Sequence, residues 1–372
     1  MRRFQLLAAA AIAAIGLQGV AAAPPLGLPP VPIPPDNPQS QDKIKLGDRL
    51  FNDKRFSADG KVACATCHKR EKGFTDQKPV SEGFRNLRGT RNAPTIVNAA
   101  YMKTLFWDGR EPDLEGQAKQ PFVNPVEGGL PDHGPMLEVI RKDPEYVQAF
   151  KSVFGVEAGD ITIDHVAKAI AAFERTVISG NSPFDRWRYG GEPDALDEAQ
   201  KRGFEVFVGK GRCVSCHVIE QTQALFTDNR FHNIGVGFKK IRGREFQVAR
   251  EFLRAKRAGA DVDKTVLTKP EASELGRFAV TENLTQVGAF KTPTLRNVAV
   301  TFPYMHDGSL ETLEDVVDFY NNGGRLREDD PVSPFLSGGI RPLDLSDEEK
   351  KDLVAFLKAL TSPEYAQIAQ NR

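Results

Sequence analysis

Two copies of one short cysteine motif carry the clearest chemistry in this sequence of 372 residues. The stretches CATCH and CVSCH hold all 4 cysteines of the chain, and a histidine follows the second cysteine of each pair. Two thiols three residues apart can both add to the vinyl groups of one haem, and the adjoining histidine then binds the iron. The motif therefore predicts covalent attachment of haem c at two places.

The predicted attachment residues are Cys64 and Cys67 with His68, and Cys213 and Cys216 with His217. One copy alone could instead be a thioredoxin-like pair or half of a zinc site. In an exported chain, however, free pairs of this kind would oxidise to disulfides, and the histidine after each pair would be a coincidence. We therefore predict two haems, with the two motif histidines as proximal iron ligands.

The sequence repeats itself downstream of each motif. Residues 93–121 align without a gap on residues 292–320, which lie 199 positions later. The second unit is longer by about fifty residues between its motif and this segment. The repeat predicts two related haem domains, of which the second carries an insertion.

One helical face differs between the two copies. The second copy has Leu313, Val316, Val317 and Tyr320 at helical spacing, where the first has Leu114, Gln117, Ala118 and Pro121. If this face covers the haem, Tyr320 can offer a phenolate oxygen to iron where Pro121 offers nothing. The pattern equally allows a core tyrosine whose hydroxyl is hydrogen-bonded elsewhere. The first interpretation predicts an open, five-coordinate first haem and a second haem ligated by histidine and tyrosine.

Helices should position both motifs. An amphipathic segment precedes each motif, and a capping box at Ser346 and Glu349 begins another helix near the C-terminus. That helix carries an apolar stripe of Leu353, Phe356, Leu357 and Leu360. This arrangement resembles a cytochrome c domain, so the predicted fold class is mainly α, with two tandem cytochrome c-like haem domains and long loops.

The N-terminus predicts export. Residues 1–23 combine two arginines, an apolar run and small residues, as a secretory signal does, and residues 24–41 form a proline-rich linker expected to be extended. Haem domains are predicted at residues 42–190 and 191–372. Lys plus Arg and Asp plus Glu each number 50, so overall charge does not favour nucleic acid. We expect a periplasmic protein without a membrane span after signal cleavage.

These motifs together resemble the bacterial dihaem cytochrome c peroxidase family, and within it the MauG branch. The resemblance covers residues 42–362 and rests on both CxxCH motifs and on RNAPTIVNA, FWDGR, NPVE, FHNIG, GRFAV and KTPTLRNVAVTFPYMHDG. In the peroxidases proper, a methionine occupies the position of Tyr320 and a loop histidine caps the first haem. This sequence has no histidine or methionine between Lys69 and Asn92, so it matches the MauG pattern at both places.

The resemblance implies roles for further residues around the first haem. Gln117, Pro121 and Glu127 correspond to the distal pocket, and Trp107 to a tryptophan between the haems. Peroxide would bind the open iron above His68. Glu127 would move a proton from its inner to its outer oxygen and Gln117 would orient it, so that water leaves and ferryl iron remains. Taken alone, the pattern would make Glu127 a solvated loop carboxylate, Gln117 a helix-surface amide and Trp107 a core residue.

A calcium ion at the domain interface is also implied by the resemblance. Asn92, Thr301 and Pro303 correspond to its oxygen ligands. His232 matches the family without an evident role, and we assign none to His133 or His165.

Three functions stay open. The leading one is reduction of hydrogen peroxide with electrons from a small cytochrome c or cupredoxin. The basic segment 239–257 could dock such a donor if it were acidic, or form a solvated helical face. The second is MauG-like oxidation of a partner protein in the maturation of a tryptophan-derived quinone. MauG has a surface tryptophan just before its second motif, but this chain has no aromatic residue between Phe207 and Cys213. The third is a dihaem electron carrier without catalysis.

Overall fold

A computed structural model describes residues 23–327 and 329–370. The α-helices are α1 (Gln41–Asn52), α2 (Cys64–Cys67), α3 (Leu114–Val123), α4 (Gly134–Lys142), α5 (Pro144–Phe154), α6 (Ile163–Glu174), α7 (Pro183–Arg188), α8 (Glu198–Val208), α9 (Phe238–Ile241), α10 (Glu245–Arg257), α11 (Val262–Thr268), α12 (Pro270–Ser273), α13 (Phe278–Thr281), α14 (Leu313–Asn321), α15 (Asp347–Lys358) and α16 (Ala366–Gln370). Strands β1 (Phe231–His232) and β2 (Phe290–Lys291) pair antiparallel. The mainly α fold class is confirmed, while the signal-peptide prediction lies outside the described residues except for Ala23.

Each half of the chain is built on a crossing of two helices. In the first half α1 crosses α6, and a Cβ atom on Gly47 would lie 1.9 Å from the carbonyl oxygen of Ala169. In the second half α8 crosses α15, and a Cβ atom on Gly203 would lie 1.9 Å from the carbonyl oxygen of Asp352. Only glycine permits such a close approach of two backbones. A helix crossing of the same kind therefore supports each of the two cysteine motifs.

Buried apolar side chains form three clusters among the described residues. The first spans residues 46–177 and gains Val300 and Tyr365, the second spans residues 184–360, and the third spans residues 238–287. The third cluster gives the insertion a core of its own. Phe184 already packs in the second cluster, and the division into domains at residue 190 stays a prediction.

The internal repeat is visible in the backbone. Asn98 and Asn297 have φ angles of 62° and 59°, and Gly109 and Gly308 have φ angles of 67° and 65°. Both pairs are separated by the offset found in the sequence alignment. The two segments thus fold alike, and each leads into a helix, α3 in the first copy and α14 in the second.

The capped C-terminal helix forms as predicted. Ser346 Oγ accepts from the Glu349 amide at 3.2 Å, and the Glu349 carboxylate accepts from the Ser346 amide at 2.7 Å. The stripe of Leu353, Phe356, Leu357 and Leu360 is buried. Of the helices in the described part of the chain, none is both long and apolar enough to cross a bilayer.

The segment before α1 corrects the prediction of an extended linker. Residues 24–40 contain no helix or strand, but they lie against the folded body and Leu28 is 6% exposed. Tyr101 donates to the Pro29 carbonyl at 2.9 Å, and Arg296 donates to the Gly27 carbonyl at 2.6 Å. The prediction failed because composition shows only what a segment cannot do alone, whereas these donors come from distant parts of the chain.

Candidate functional site: two haem attachment motifs

The two cysteine motifs form single helical turns. Cys64–Cys67 is the short helix α2, and Cys213–Ser215 is a 3-10 turn. None of the four cysteines is in a disulfide. Burial raises the pKa of the Cys67 and Cys213 thiols to about 12. Because no disulfide occupies them, all four sulfur atoms are available for thioether bonds.

A backbone carbonyl holds the histidine that follows each motif. His68 Nδ1 donates to the Phe74 carbonyl at 3.2 Å, and His217 Nδ1 donates to the Phe226 carbonyl at 2.9 Å. Burial lowers the pKa of both histidines, which favours the neutral imidazole that metals bind. With Nδ1 occupied as a donor, Nε2 is left for iron.

Both carbonyls come from residues in the left-handed backbone region. Phe74 has a φ angle of 57° and Phe226 one of 52°. This conformation costs a residue with a side chain on the order of 1 kcal/mol. It occurs in both copies at the residue whose carbonyl orients the histidine, so the two sites share this strained backbone feature.

α14 brings Tyr320 to the second motif, whereas α3 carries Pro121 at the equivalent position. The Tyr320 ring is half-buried within the second cluster, together with Cys213. Burial, and then the charges of Cys213 and Cys216, raise the pKa of the Tyr320 hydroxyl. This hydroxyl forms no hydrogen bond with another described residue. A phenol oxygen without a partner therefore lies close to the second attachment site.

His306, the other residue near Tyr320 in sequence that could bind a metal, is engaged elsewhere. Its Nε2 donates to Glu274 at 2.8 Å, and its ring stacks on Phe290 with a centroid distance of 3.7 Å. His306 thus joins the insertion to the second repeat. His232 donates to Asp228 at 2.7 Å, and Cys216 and Asp228 raise its pKa to about 9.

The turn after α3 places Glu127 at the first motif. Its Oε2 atom is buried and has no hydrogen-bond partner among the described residues. The carboxylate charge raises the pKa of both Cys64 and Cys67, so the carboxyl group lies in the neighbourhood of the attachment site. Burial, and then the charge of Asp263, raise the pKa of Glu127 to about 8.

Gln117 and Trp107 have different surroundings. Gln117 lies on α3, and its side-chain amide has no hydrogen bond within the described part of the chain. Trp107 donates from Nε1 to the Asn92 carbonyl at 2.9 Å, and its own carbonyl accepts from Lys291 at 2.8 Å. Trp107 therefore lies at the junction of the two repeats.

The predicted calcium ligands are not joined by hydrogen bonds. The Asn92 side chain donates to the Lys78 carbonyl at 2.9 Å, and Thr301 donates to the Val298 carbonyl at 3.4 Å. Among the described residues, no hydrogen bond links Asn92 with Thr301 or Pro303. The calcium site stays a prediction.

Some residues around the first motif were not predicted from the sequence. Asp263 approaches from the insertion, far away in sequence, and no local pattern marks it. Glu174 on α6 is 4% exposed, its Oε2 has no partner in the described structure, and burial raises its pKa to about 8. Arg110 and Asn124 stand in the motifs FWDGR and NPVE, which could have drawn attention to them.

The residues fit two covalently attached haems. Each motif offers two thiols that are in no disulfide and a histidine whose pKa is lowered by burial. Beside each motif lies a polar group that has no hydrogen-bond partner among residues 23–327 and 329–370, Glu127 Oε2 at the first and the Tyr320 hydroxyl at the second. A cavity of about 350 Å³ also borders His68, on the side of Phe51 and Phe173.

Comparisons with known proteins agree with this arrangement. Residues 41–193 match the family described as di-haem cytochrome c peroxidase. The chain is 40% identical to the cytochrome-c peroxidase IdrP1 of Denitromonas iodatirespirans, over 96% of this chain and 92% of the relative. It is 37% identical to the methylamine utilization protein MauG of Methylorubrum extorquens, over 89% and 81%.

A solved structure is also similar. The crystal structure of a MauG-like protein associated with microbial copper homeostasis has a TM-score of 0.75 and 34% identity, and the match covers 92% of this chain and 96% of that one. The fold and the relatives together define a dihaem c-type oxidoreductase of the cytochrome-c peroxidase type, which uses peroxide. The chain belongs to the di-haem cytochrome c peroxidase and MauG family, as its motifs indicated.

Proposed function

We propose that this protein reduces hydrogen peroxide to water at an open first haem, with electrons that a small redox protein delivers through the second haem. The observation that carries the proposal is the difference between two equivalent helices. α3 presents Pro121, which has no group for iron, whereas α14 presents the hydroxyl of Tyr320 beside Cys213 and Cys216, with no hydrogen-bond partner among the described residues. This difference supports an open first site and a second site that Tyr320 closes.

Haem c, when bound at each motif, supplies the redox-active iron. Around the first motif the protein itself supplies a proton carrier. Glu127 accepts a proton from the inner oxygen of peroxide at its unpartnered Oε2 and delivers it to the outer oxygen, which leaves as water. Gln117 donates a hydrogen bond that orients the peroxide, and His68 is held by Phe74 in the tautomer that exposes Nε2.

At the second motif Tyr320 would hold the haem iron together with His217. Burial keeps its phenol protonated in the protein chain alone, so binding as phenolate requires the positive charge of ferric iron to replace the proton. An anionic oxygen ligand favours oxidised iron, whereas methionine raises the reduction potential. The second site should therefore be harder to reduce than a site with methionine.

Further parts of the proposal concern the setting of the enzyme. Residues 1–23 direct export to the periplasm and are removed. Residues 42–190 form the peroxidatic domain, and residues 191–372 form the electron-transfer domain. The electron donor is a small cytochrome c or cupredoxin. A calcium ion held by Asn92, Thr301 and Pro303 would link the two domains.

The second candidate is oxidation of residues in a partner protein, as proposed above for a MauG-like enzyme. Tyr320 and the similarity to MauG favour it. The stretch between Phe207 and Cys213 has no aromatic residue to carry oxidation to a partner, which weighs against it. A plain electron carrier would need a sixth ligand at the first haem, which Pro121 cannot supply.

Stopped-flow spectroscopy of the haem-loaded ferric protein tests the proposal. The protein is mixed with hydrogen peroxide in the presence or absence of a reduced small cytochrome c. Rapid and repeated oxidation of the cytochrome supports a peroxidase. A long-lived oxidised spectrum with negligible cytochrome turnover supports the protein-oxidising alternative, and an unreactive low-spin first haem supports the electron carrier.

A further inference from the structure

The insertion of the second haem domain closes over the first domain. Thr90 donates to the Val266 carbonyl at 2.7 Å, and Arg91 donates to the Ser273 carbonyl at 3.0 Å. Val126, next to Glu127, packs against the apolar cluster of the insertion. A segment that belongs by sequence to the second repeat therefore forms a wall beside the first haem site.

One buried carboxylate of this wall accepts its hydrogen bonds from side chains of the first domain. Asp263, in the first turn of α11, is 7% exposed. Its Oδ1 atom accepts from Arg110 Nε at 2.8 Å and Nη2 at 2.5 Å. Its Oδ2 atom accepts from Asn124 Nδ2 at 2.5 Å. Asp263 thus fixes two side chains that come from either side of α3.

Asn124 connects Asp263 to the turn that carries Glu127. Its side-chain Oδ1 accepts from the Val126 amide at 3.1 Å, while its Nδ2 is held by Asp263. Its backbone carbonyl accepts from the Glu127 amide at 3.1 Å and the Gly129 amide at 2.9 Å. The turn is therefore attached to α11 through one side chain that is fixed at both ends.

The same contacts set the electrostatic surroundings of the Glu127 carboxyl. The charged or titratable groups that act on it are Asp263 from α11, Arg110 from the loop before α3, and the thiols of Cys64 and Cys67 from α2. The thiols lose their ability to ionise once they form thioethers. Asp263 then opposes ionisation of Glu127, and Arg110 favours it.

We propose that Asp263 is a positioning residue for Glu127. It holds the turn that carries this carboxyl, and its charge controls the pH at which the carboxyl releases its proton. The insertion of the second domain thereby takes part in the chemistry of the first. The effect of Asp263 on the position and ionisation of Glu127, which we call the coupling, does not depend on what Glu127 does. Its importance for catalysis rests on the proposed function of Glu127.

Infrared spectroscopy of the haem-loaded ferric protein tests this coupling without peroxide. The carboxylic acid band of Glu127, identified by its loss in Glu127→Gln, is followed as the pH is raised. Asp263→Asn removes a charge while keeping the size of the side chain, so the midpoint should fall by about one pH unit. Asp263→Glu restores the charge and should return the midpoint toward that of the unmodified protein.

Asp261→Asn is the matched control, because Asp261 precedes the same helix and its carboxylate accepts from the Lys264 amide at 3.0 Å rather than from the first domain. Its midpoint should not move. An unchanged midpoint in Asp263→Asn, or an equal shift in Asp261→Asn, overturns the inference. If Asp263→Asn does not take up haem, Asp263→Ser removes the same charge and should give the same downward shift.

The pH profile of the peroxide reaction separates the inference from the proposed function. A shifted infrared midpoint with an equally shifted rate profile supports both. A shifted infrared midpoint with an unaffected rate profile supports the coupling and overturns the proton-carrying role of Glu127.

Discussion

Glu127 and Tyr320 share one unusual feature, because each has a buried or half-buried side-chain oxygen that forms no hydrogen bond within the described part of the chain. Buried polar groups normally form hydrogen bonds, and leaving one unpaired costs about 1–3 kcal/mol. Both oxygens lie beside a cysteine motif, Glu127 near Cys64 and Tyr320 near Cys213. At the scale of single residues, a bound haem or its substrate is the natural partner for each.

Replacement of Tyr320 by phenylalanine should make the second haem high-spin. The substitution removes one oxygen and keeps the packing of the ring, so iron loses its sixth ligand while the fold is preserved. Electron paramagnetic resonance of the ferric protein measures the change. Tyr189→Phe is the control, because the Tyr189 hydroxyl donates to the Glu220 carbonyl at 3.1 Å and its ring packs against the same apolar cluster as Tyr320. A low-spin signal that persists in Tyr320→Phe would refute the ligand assignment.

Replacement of Glu127 by glutamine should slow the reaction with peroxide by about 10²–10⁴-fold. Because the pKa of Glu127 is raised to about 8, the carboxyl is protonated at neutral pH and becomes able to accept a proton as the pH rises. The rate should therefore increase with pH up to a plateau above this value, and the increase should vanish in Glu127→Gln. Stopped-flow measurements across pH test this.

Glu82→Gln provides the control for the Glu127 variant. Glu82 lies in an exposed loop, where it pairs with Lys78 and Arg88. Its rate profile should match that of the unmodified protein. A pH dependence that survives in Glu127→Gln would show that another group carries the proton.

At the scale of elements, each motif depends on a helix crossing with a glycine at the contact. Gly47 lies against Ala169, and Gly203 lies against Asp352, so α1 with α6 and α8 with α15 form equivalent pairs. The cysteine motif follows the first helix of each pair at a short distance. A change in the crossing angle or spacing would therefore be transmitted to the attachment site.

Gly203→Ala should destabilise the protein by about 1–3 kcal/mol, because the new methyl group overlaps the Asp352 carbonyl and the helices must separate. Chemical denaturation of the haem-loaded protein measures the loss. Gly159→Ala is the control, since a Cβ atom at Gly159 meets no neighbour within 4 Å. Equal stability of the two variants would argue against a close crossing.

At the scale of the whole molecule, one guanidinium joins parts that are distant in sequence. Arg296 is 2% exposed and pairs with both oxygens of Asp185 at 2.8 and 2.9 Å. It also donates to the carbonyls of Gly27 and Ala224, each at 2.6 Å. The segment before α1, helix α7 and the second repeat are thereby held together.

Arg296→Met should lower the free energy of unfolding by about 3–5 kcal/mol, because it leaves Asp185 buried without its cationic partner. Denaturant-induced unfolding provides the measurement. The matched control is Arg202→Met, which breaks the pair with Asp352 where Arg202 is 55% exposed, and should cost less than about 1 kcal/mol. Similar losses in the two variants would contradict a central role for Arg296.

The sequence by itself determined the features that depend on local spacing. The CxxCH motifs, the repeat, the capping box at Ser346 and the helical face that ends in Tyr320 could all be recognised from neighbouring residues. Helix periodicity and motif spacing are properties of short segments, and the fold class followed from them. Family resemblance then added Glu127, Gln117 and Trp107.

Only the tertiary structure decided which distant groups meet these residues. The Phe74 and Phe226 carbonyls that orient the histidines depend on left-handed backbone angles, and Asp263 reaches the Glu127 turn from the insertion. The segment before α1 is packed against the body through donors such as Arg296. Contacts of this kind form only when the helices pack. Residues far apart in sequence have no local pattern that predicts that they will be in contact.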